Sequence, residues 1–421
     1  MQSSIKLRLT VMNFLQFAVW GAYLTSMGRY LGTAGFGSEI GNFYAMQGLV
    51  SLFMPALMGI VADRWIPAQR LLGLCHMLAG MLMLGVFLYT QTDTPSYPTL
   101  FALYSLSVAF YMPTLALSNS VAYTSLDQAG LDLVKSFPPI RVFGTVGFIC
   151  TMIAVSLLGL EATSGQFAVS AIISLVLAVY AQTLPNCPTA PKGQSKSLVE
   201  ALGLRAFVLF KQRKMALFFI FSMLLGVSLQ ITNGFANPFI STFGEIPAYA
   251  DTFGVKYANI LISLSQLSET LCILLIPFAL RRFGIRRVML IAMVAWVLRF
   301  ALLGLGNPGS GVWLFLLSMI VYGVAFDFFN VSGSLFVDKE TDPSIRSSAQ
   351  GLFMIMTNGI GATLGSLGAQ AVINRFVYSQ SEATAILSGW SMSWYIFATY
   401  AAVVAVLFAL LFRYNTATEA K

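Results

Sequence analysis

Glu269 and Asp327 are carboxylates set deep inside long apolar runs, and that placement limits what they can do. A charged side chain at mid-depth in hydrocarbon costs about 3 kcal/mol on insertion scales, so each requires a partner or a water-filled cavity. In such a cavity a carboxylate can take up a proton or accept hydrogen bonds from hydroxyl groups. The amides Gln230, Asn233, Asn237 and Gln266 occupy similar runs and can donate and accept at once. Spacing sorts these residues onto helix faces. Arg141, Thr145 and Phe148 follow i, i+4, i+7, and Gln230, Asn233 and Asn237 follow i, i+3, i+7. Gln266 and Glu269 are i, i+3, while Gly323, Asp327, Asn330 and Ser334 follow i, i+4, i+7, i+11 with Tyr322 and Phe326 beside them. A lone Ser, Thr or Asn in such a run is ordinary hydrogen-bond glue between helices. Two carboxylates grouped with amides point instead to a shared polar pathway.

Depth supports that reading. Glu269 lies about thirteen residues into its run, roughly 20 Å, and Asp327 about sixteen residues from one end of its run, roughly 24 Å. Both fall in the middle or inner part of a hydrocarbon core about 30 Å thick. Arg141 is one turn inside its run, so snorkelling to the surface and lining the pathway both stay open. Arg299 sits deep and is expected to pair with a carboxylate or a carbonyl in a structural role. His76, the single histidine, has no carboxylate near it in sequence and is expected to be a satisfied packing residue. The cluster Asp338, Lys339, Glu340 and Asp342 reads as a solvated loop.

The elements that must hold these groups are membrane helices. Of 421 residues 57% are hydrophobic and 10% charged, with a mean hydropathy of +0.78. Soluble domains are about 25% charged. Apolar runs lie near 9–30, 41–62, 70–90, 98–122, 140–160, 165–185, 214–240, 256–280, 286–305, 311–335, 348–372 and 389–412, numbered below as spans one to twelve. The net charge of +8 does not mark a nucleic-acid binder, because the basic residues fall in alternate loops. With the N-terminus in the cytoplasm, 20 of the 24 lysines and arginines lie on or at the edge of the cytoplasmic side. They include Arg64, Arg281, Arg282, Arg286 and Arg287, whereas Arg29, Lys256 and Arg375 fall in exterior loops. An even count of spans returns the C-terminus to the cytoplasm. The first run extends past a signal-peptide core and reads as a retained helix.

The connection from Pro185 to Arg213 divides the spans six and six. Pro185, Pro188, Pro191 and Gly193 make a polar linker, and Leu198 to Phe210 is expected along the membrane surface. This gives residues 1–185 as a first six-helix bundle, 186–213 as a cytoplasmic linker and 214–421 as a second bundle. An internal echo supports equivalent halves. Pro138-Pro139-Ile140-Arg141 opens span five with Phe148 seven residues after the arginine, and Pro343-Ser344-Ile345-Arg346 opens span eleven with Phe353 at the same offset. Duplicated bundles are frequent in secondary transporters.

Several motifs lead nowhere. Gly304-Leu305-Gly306-Asn307-Pro308-Gly309 matches GxGxxG but joins two spans, without the strand that a dinucleotide site needs. Asn330-Val331-Ser332 is a glycosylation sequon inside a span. Gly361 and Gly365 form GxxxG, expected to serve close helix packing. Cys75, Cys150, Cys187 and Cys272 are scattered, without metal-ligand spacing. With no nucleotide loop, metal cluster or nucleophile triad, neither an enzyme nor a cofactor is expected.

Longer strings carry a resemblance. Tyr111-Met112-Pro113-Thr114, Phe137-Pro138-Pro139-Ile140-Arg141, Gly144-Thr145-Val146-Gly147-Phe148, Gln230-Ile231-Thr232-Asn233, Val294-Ala295-Trp296 with Leu298-Arg299-Phe300, and Ala325-Phe326-Asp327-Phe328-Phe329-Asn330 resemble the bacterial nucleoside:proton symporters of the major facilitator superfamily. The likeness runs from about Leu9 to Phe412. It implies an all-α integral membrane fold of twelve transmembrane helices in two pseudo-symmetric six-helix bundles. It also implies proton-coupled nucleoside uptake across a bacterial inner membrane by a protein working as a monomer in the lipid bilayer. The positions matching that family's nucleoside contacts are Arg141, Thr145, Phe148, Gln230, Asn233, Gln266, Glu269, Tyr322, Phe326 and Asp327. Asp327 is the expected proton-coupling residue, with Glu269 second. Gly234 and Ala236 depart from the family's usual larger residue and glycine. A facilitator of another polar solute, such as a sugar, would use similar amides and aromatics without a titrating carboxylate.

Overall fold

The computed structural model describes residues 2–189, 204–343 and 345–414. Pro191, Gly193, Ser344 and the first part of the surface segment expected from Leu198 lie outside the described residues, while 204–211 forms a 3-10 helix. Among the described residues the chain is all helical, with no strand. Helix is the form that lets an apolar run satisfy its backbone groups internally in lipid.

Among the described residues ten helices are long and apolar enough to cross a membrane. Two features bear on the expected count of twelve. The helix Ala258–Leu305 breaks at Gly284, whose φ of 74° and ψ of 164° lie outside helical geometry. That φ suits glycine, which lacks the Cβ that would strain it, and the break falls between spans eight and nine as the apolar runs predict. Span one is the helix Gln2–Gly21, followed after a turn by Met27–Thr33.

The chain forms two compact units. The first comprises Met1–Tyr30 with Leu49–Leu202, and the second Leu31–Gly48 with Gly203–Lys421. In the first, a core of Leu9, Met12, Leu72, Leu117, Val121, Ile140 and Leu177 joins spans one, three, four, five and six. Spans one and five touch backbone to backbone, because a Cβ at Gly147 would collide with the Phe14 carbonyl oxygen.

In the second unit span seven, Arg213–Thr242, packs on span eleven through Gly361 and Gly365. A Cβ at Gly361 would lie 2.5 Å from the Met223 carbonyl oxygen. The GxxxG pair thus serves helix packing, as expected. Span eleven itself is not uniform. Arg346–Met354 passes through a π-helical stretch, Ile355–Gly361, before Ala362–Phe376. Residues 31–48 join this unit through side chains of span eleven. Gln370 Oε1 accepts the Gly41 N–H at 2.5 Å, and Gln370 Nε2 donates to the Gly37 carbonyl at 3.0 Å. Asn374 Nδ2 adds a bond to the Ser38 carbonyl at 3.2 Å.

Candidate functional site

Span five, Leu133–Leu157, presents Arg141, Thr145 and Phe148 on its less exposed side. Val142, Phe143 and Val146 occupy the opposite, exposed side, so the i, i+4, i+7 pattern corresponds to a real face. The Arg141 guanidinium lies 4.0 Å from the centre of the Phe17 ring. Phe148 meets Trp20 edge-on at 6.4 Å, and Trp20 meets Tyr111 at 6.0 Å.

Behind these rings lies a closed polar network. The Tyr111 hydroxyl donates to the Gln16 carbonyl at 2.9 Å, and Gln16 Nε2 donates to Thr114 Oγ1 at 2.7 Å. His76 joins it, with Nε2 2.7 Å from Gln16 Oε1 and Nδ1 3.0 Å from Ser174 Oγ. The histidine is a satisfied packing residue. Sequence reasoning passed over Trp20 and Gln16. A single amide or indole in span one makes no stripe, and only Tyr111 and Thr114 carried a signal, within a recognisable string.

The polar stripe of span seven divides in two. Asn233 Nδ2 donates to Gln230 Oε1 at 2.7 Å, one helical turn apart. Asn237, fully buried, donates to Asn259 Oδ1 on span eight at 2.9 Å and so serves as interhelical glue. In span ten, Val312–Glu340, Ser334 likewise bonds Gln350 at 3.0 Å. The ends of both stripes hold helices together, and their middles remain for chemistry.

Spans eight and ten meet along a seam of small residues. A Cβ at Gly323 would lie 2.5 Å from the Ser268 carbonyl oxygen and 2.7 Å from Cys272 Sγ. Ser268 Oγ donates to the Ile320 carbonyl, and Ser265 Oγ contacts Met319 Sδ at 3.0 Å. The seam holds Gln266 and Glu269, each one residue from a seam serine, on the helix packed beside Asp327. Asp327 is 5% exposed, and its Oδ2 has no hydrogen-bond partner among the described residues. Glu269 is near enough for the two carboxylates to interact electrostatically. Tyr322 and Phe326 stack with centres 5.7 Å apart and planes 7° from parallel. Arg299 covers the Tyr322 ring at 4.5 Å and donates to the Ser318 carbonyl at 2.8 Å. Its backbone partner is therefore a carbonyl, one of the two expected alternatives.

Among the expected site residues, Arg141, Thr145 and Phe148 share a face in the first unit. In the second unit Gln230 pairs with Asn233, the Tyr322–Phe326 stack adjoins Asp327 on span ten, and the Ser268–Gly323 seam sets Gln266 and Glu269 on the neighbouring helix. A carboxylate with an unpartnered oxygen, paired amides and stacked rings can hold a proton, bond hydroxyl or amide groups and stack a flat ring.

Comparison with known proteins finds close relatives along the whole chain. The sequence profile of the family described as Nucleoside H+ symporter matches residues 3–417. Xanthosine permease of Escherichia coli (strain K12) is 50% identical over 415 residues, covering 98% of this chain and 97% of the relative. Nucleoside permease NupG of the same organism is 47% identical with the same coverage. The crystal structure of nucleoside transporter NupG matches with a TM-score of 0.89 at 45% identity, over 98% of this chain and 100% of that one. An autoinhibited POT family peptide transporter, 16% identical with a TM-score of 0.69 over 98% of this chain and 97% of that one, shares the fold alone.

Proposed function

Because the chain belongs to the nucleoside H+ symporter family, we propose that it carries nucleosides, xanthosine among them, into the cell together with protons by alternating access. The family is one of transporters, not enzymes. In this reading the amides Gln230, Asn233 and Gln266 bond the base edge and Glu269 accepts from ribose hydroxyls. Phe148, Tyr322 and Phe326 stack on the base, and Arg141 and Thr145 supply further polar contacts. The proton resides on Asp327, with Glu269 as the secondary carrier.

The observation that supports the coupling role is the state of Asp327. It is buried, its Oδ2 is unpartnered among the described residues, and a second carboxylate interacts with it electrostatically. Protonation of one member removes the repulsion between like charges and turns an acceptor oxygen into a donor. A nucleoside and a proton that both bind more tightly in the same conformation shift the protein toward that conformation. In this proposal the two bundles that rock during transport are residues 1–185 and 214–421, joined by the cytoplasmic linker 186–213. Twelve spans in a bacterial inner membrane, cytoplasmic termini and action as a monomer in the bilayer complete the proposal.

Asp327→Asn tests it by uptake of external labelled nucleoside into proteoliposomes. Accumulation driven by an inward proton gradient should be abolished, while gradient-free exchange of nucleoside persists. Accumulation with unaltered pH dependence would remove Asp327 from the coupling role.

A further inference from the structure

Arg299 is 2% exposed on span nine, and among the described residues no carboxylate lies within ion-pair distance of it. Burying a guanidinium without a counter-ion is costly, and removing water leaves few ways to offset the cost. Two contacts do so through Nη1, at 2.8 Å to the Ser318 carbonyl and 3.3 Å to Ser265 Oγ. The third is the face of Tyr322, 4.5 Å from the guanidinium carbon. Cation–π attraction strengthens when both partners are desolvated, as they are here. Helix packing alone would be met more cheaply by an apolar side chain of this length, so the charge calls for a separate account.

The Tyr322 ring is fixed on three sides. Arg299 covers its face, Trp296 meets it edge-on at 5.9 Å and 88°, and Phe326 lies parallel to it. We propose that Arg299 is a positioning residue for base recognition: it locks Tyr322, and through Tyr322 it holds Phe326 as a flat stacking platform. This inference rests on the nucleoside reading above. Arg299 acts on the base and not on the sugar or the proton, because its contacts run to the aromatic stack and to the Ser318 and Ser265 oxygens. A cation beneath the stack also draws electron density from it, which strengthens its attraction for an electron-rich base.

The test compares two ligands on purified protein, a whole nucleoside and methyl riboside, which keeps the sugar and lacks the base. In Arg299→Gln, nucleoside affinity should fall about tenfold, while displacement by methyl riboside stays at the wild-type level. Uptake should show a raised KM with kcat largely retained. Arg299→Lys keeps the charge and should recover most of the nucleoside affinity. If Arg299→Gln does not fold, Arg299→Lys alone is read, with about threefold weaker nucleoside binding expected and unchanged methyl riboside binding. Equal weakening of both ligands, or of neither, overturns the inference. Wild-type protein that binds no nucleoside would sink the proposed function instead, so the two failures are distinguishable.

Discussion

One methyl group added at Gly323 should loosen both the fold and the site. The new Cβ would lie 2.5 Å from the Ser268 carbonyl oxygen and 2.7 Å from Cys272 Sγ, where ordinary contact begins near 3.4 Å. The Ser268 atoms are backbone and cannot rotate aside, so spans eight and ten must part by about 1 Å. Overpacking of this kind costs about 1–3 kcal/mol. The separation falls where it does most harm, since Glu269 follows Ser268 directly and Asp327 lies one turn beyond Gly323. A displacement of about 1 Å can cost a positioned site about a hundredfold in rate. Gly323→Ala should therefore lower the thermal unfolding midpoint in detergent and cut nucleoside uptake at least tenfold (~1.4 kcal/mol) at equal reconstitution. Adding Cys272→Ala should restore only part of the loss, because the backbone clash remains. An unchanged midpoint together with wild-type uptake would refute the geometry of the seam.

Two further outcomes follow from hydrogen bonds described above. Asn237→Leu breaks the bond to Asn259 and should cost about 1–3 kcal/mol, read as a lower unfolding midpoint with the order of preference among nucleosides unchanged. A reordered preference would place Asn237 in the pocket rather than in the packing. Gln370→Ala removes both side-chain bonds to Gly37 and Gly41, so amide hydrogen exchange over residues 37–41 should accelerate. Unaltered exchange there would show that apolar packing holds this segment without the amide.

How far the sequence reaches depends on the kind of interaction. The faces of spans five and ten are legible because a polar group in hydrocarbon is expensive and its spacing survives as a pattern. Asp327 stands out from sequence alone for that reason. Pattern does not separate the middle of a stripe from its ends. Asn233 and Asn237 look alike in sequence, yet one bonds Gln230 and the other a buried partner on span eight. The attachment of residues 31–48 to span eleven is invisible beforehand, because Gln370 and Asn374 bond backbone groups that every residue offers. Gly284 falls between these cases. The sequence marks a loop there, and the structure adds the positive φ that makes glycine the suited residue.

The π-helical stretch at Ile355–Gly361 changes how the two halves are to be aligned. The echo between spans five and eleven, from the arginines to Phe148 and Phe353, ends just before it. Widening the hydrogen-bond ring to i→i+5 inserts the equivalent of one extra residue, and one residue is about 100° around a helix. At the constant offset that pairs Arg141 with Arg346, residues 355–361 correspond to 150–156, the end of the helix Leu133–Leu157, so the phase slip falls on that last part of span five. A single-residue slip is enough to let duplicated segments begin alike and present different chemistry further along.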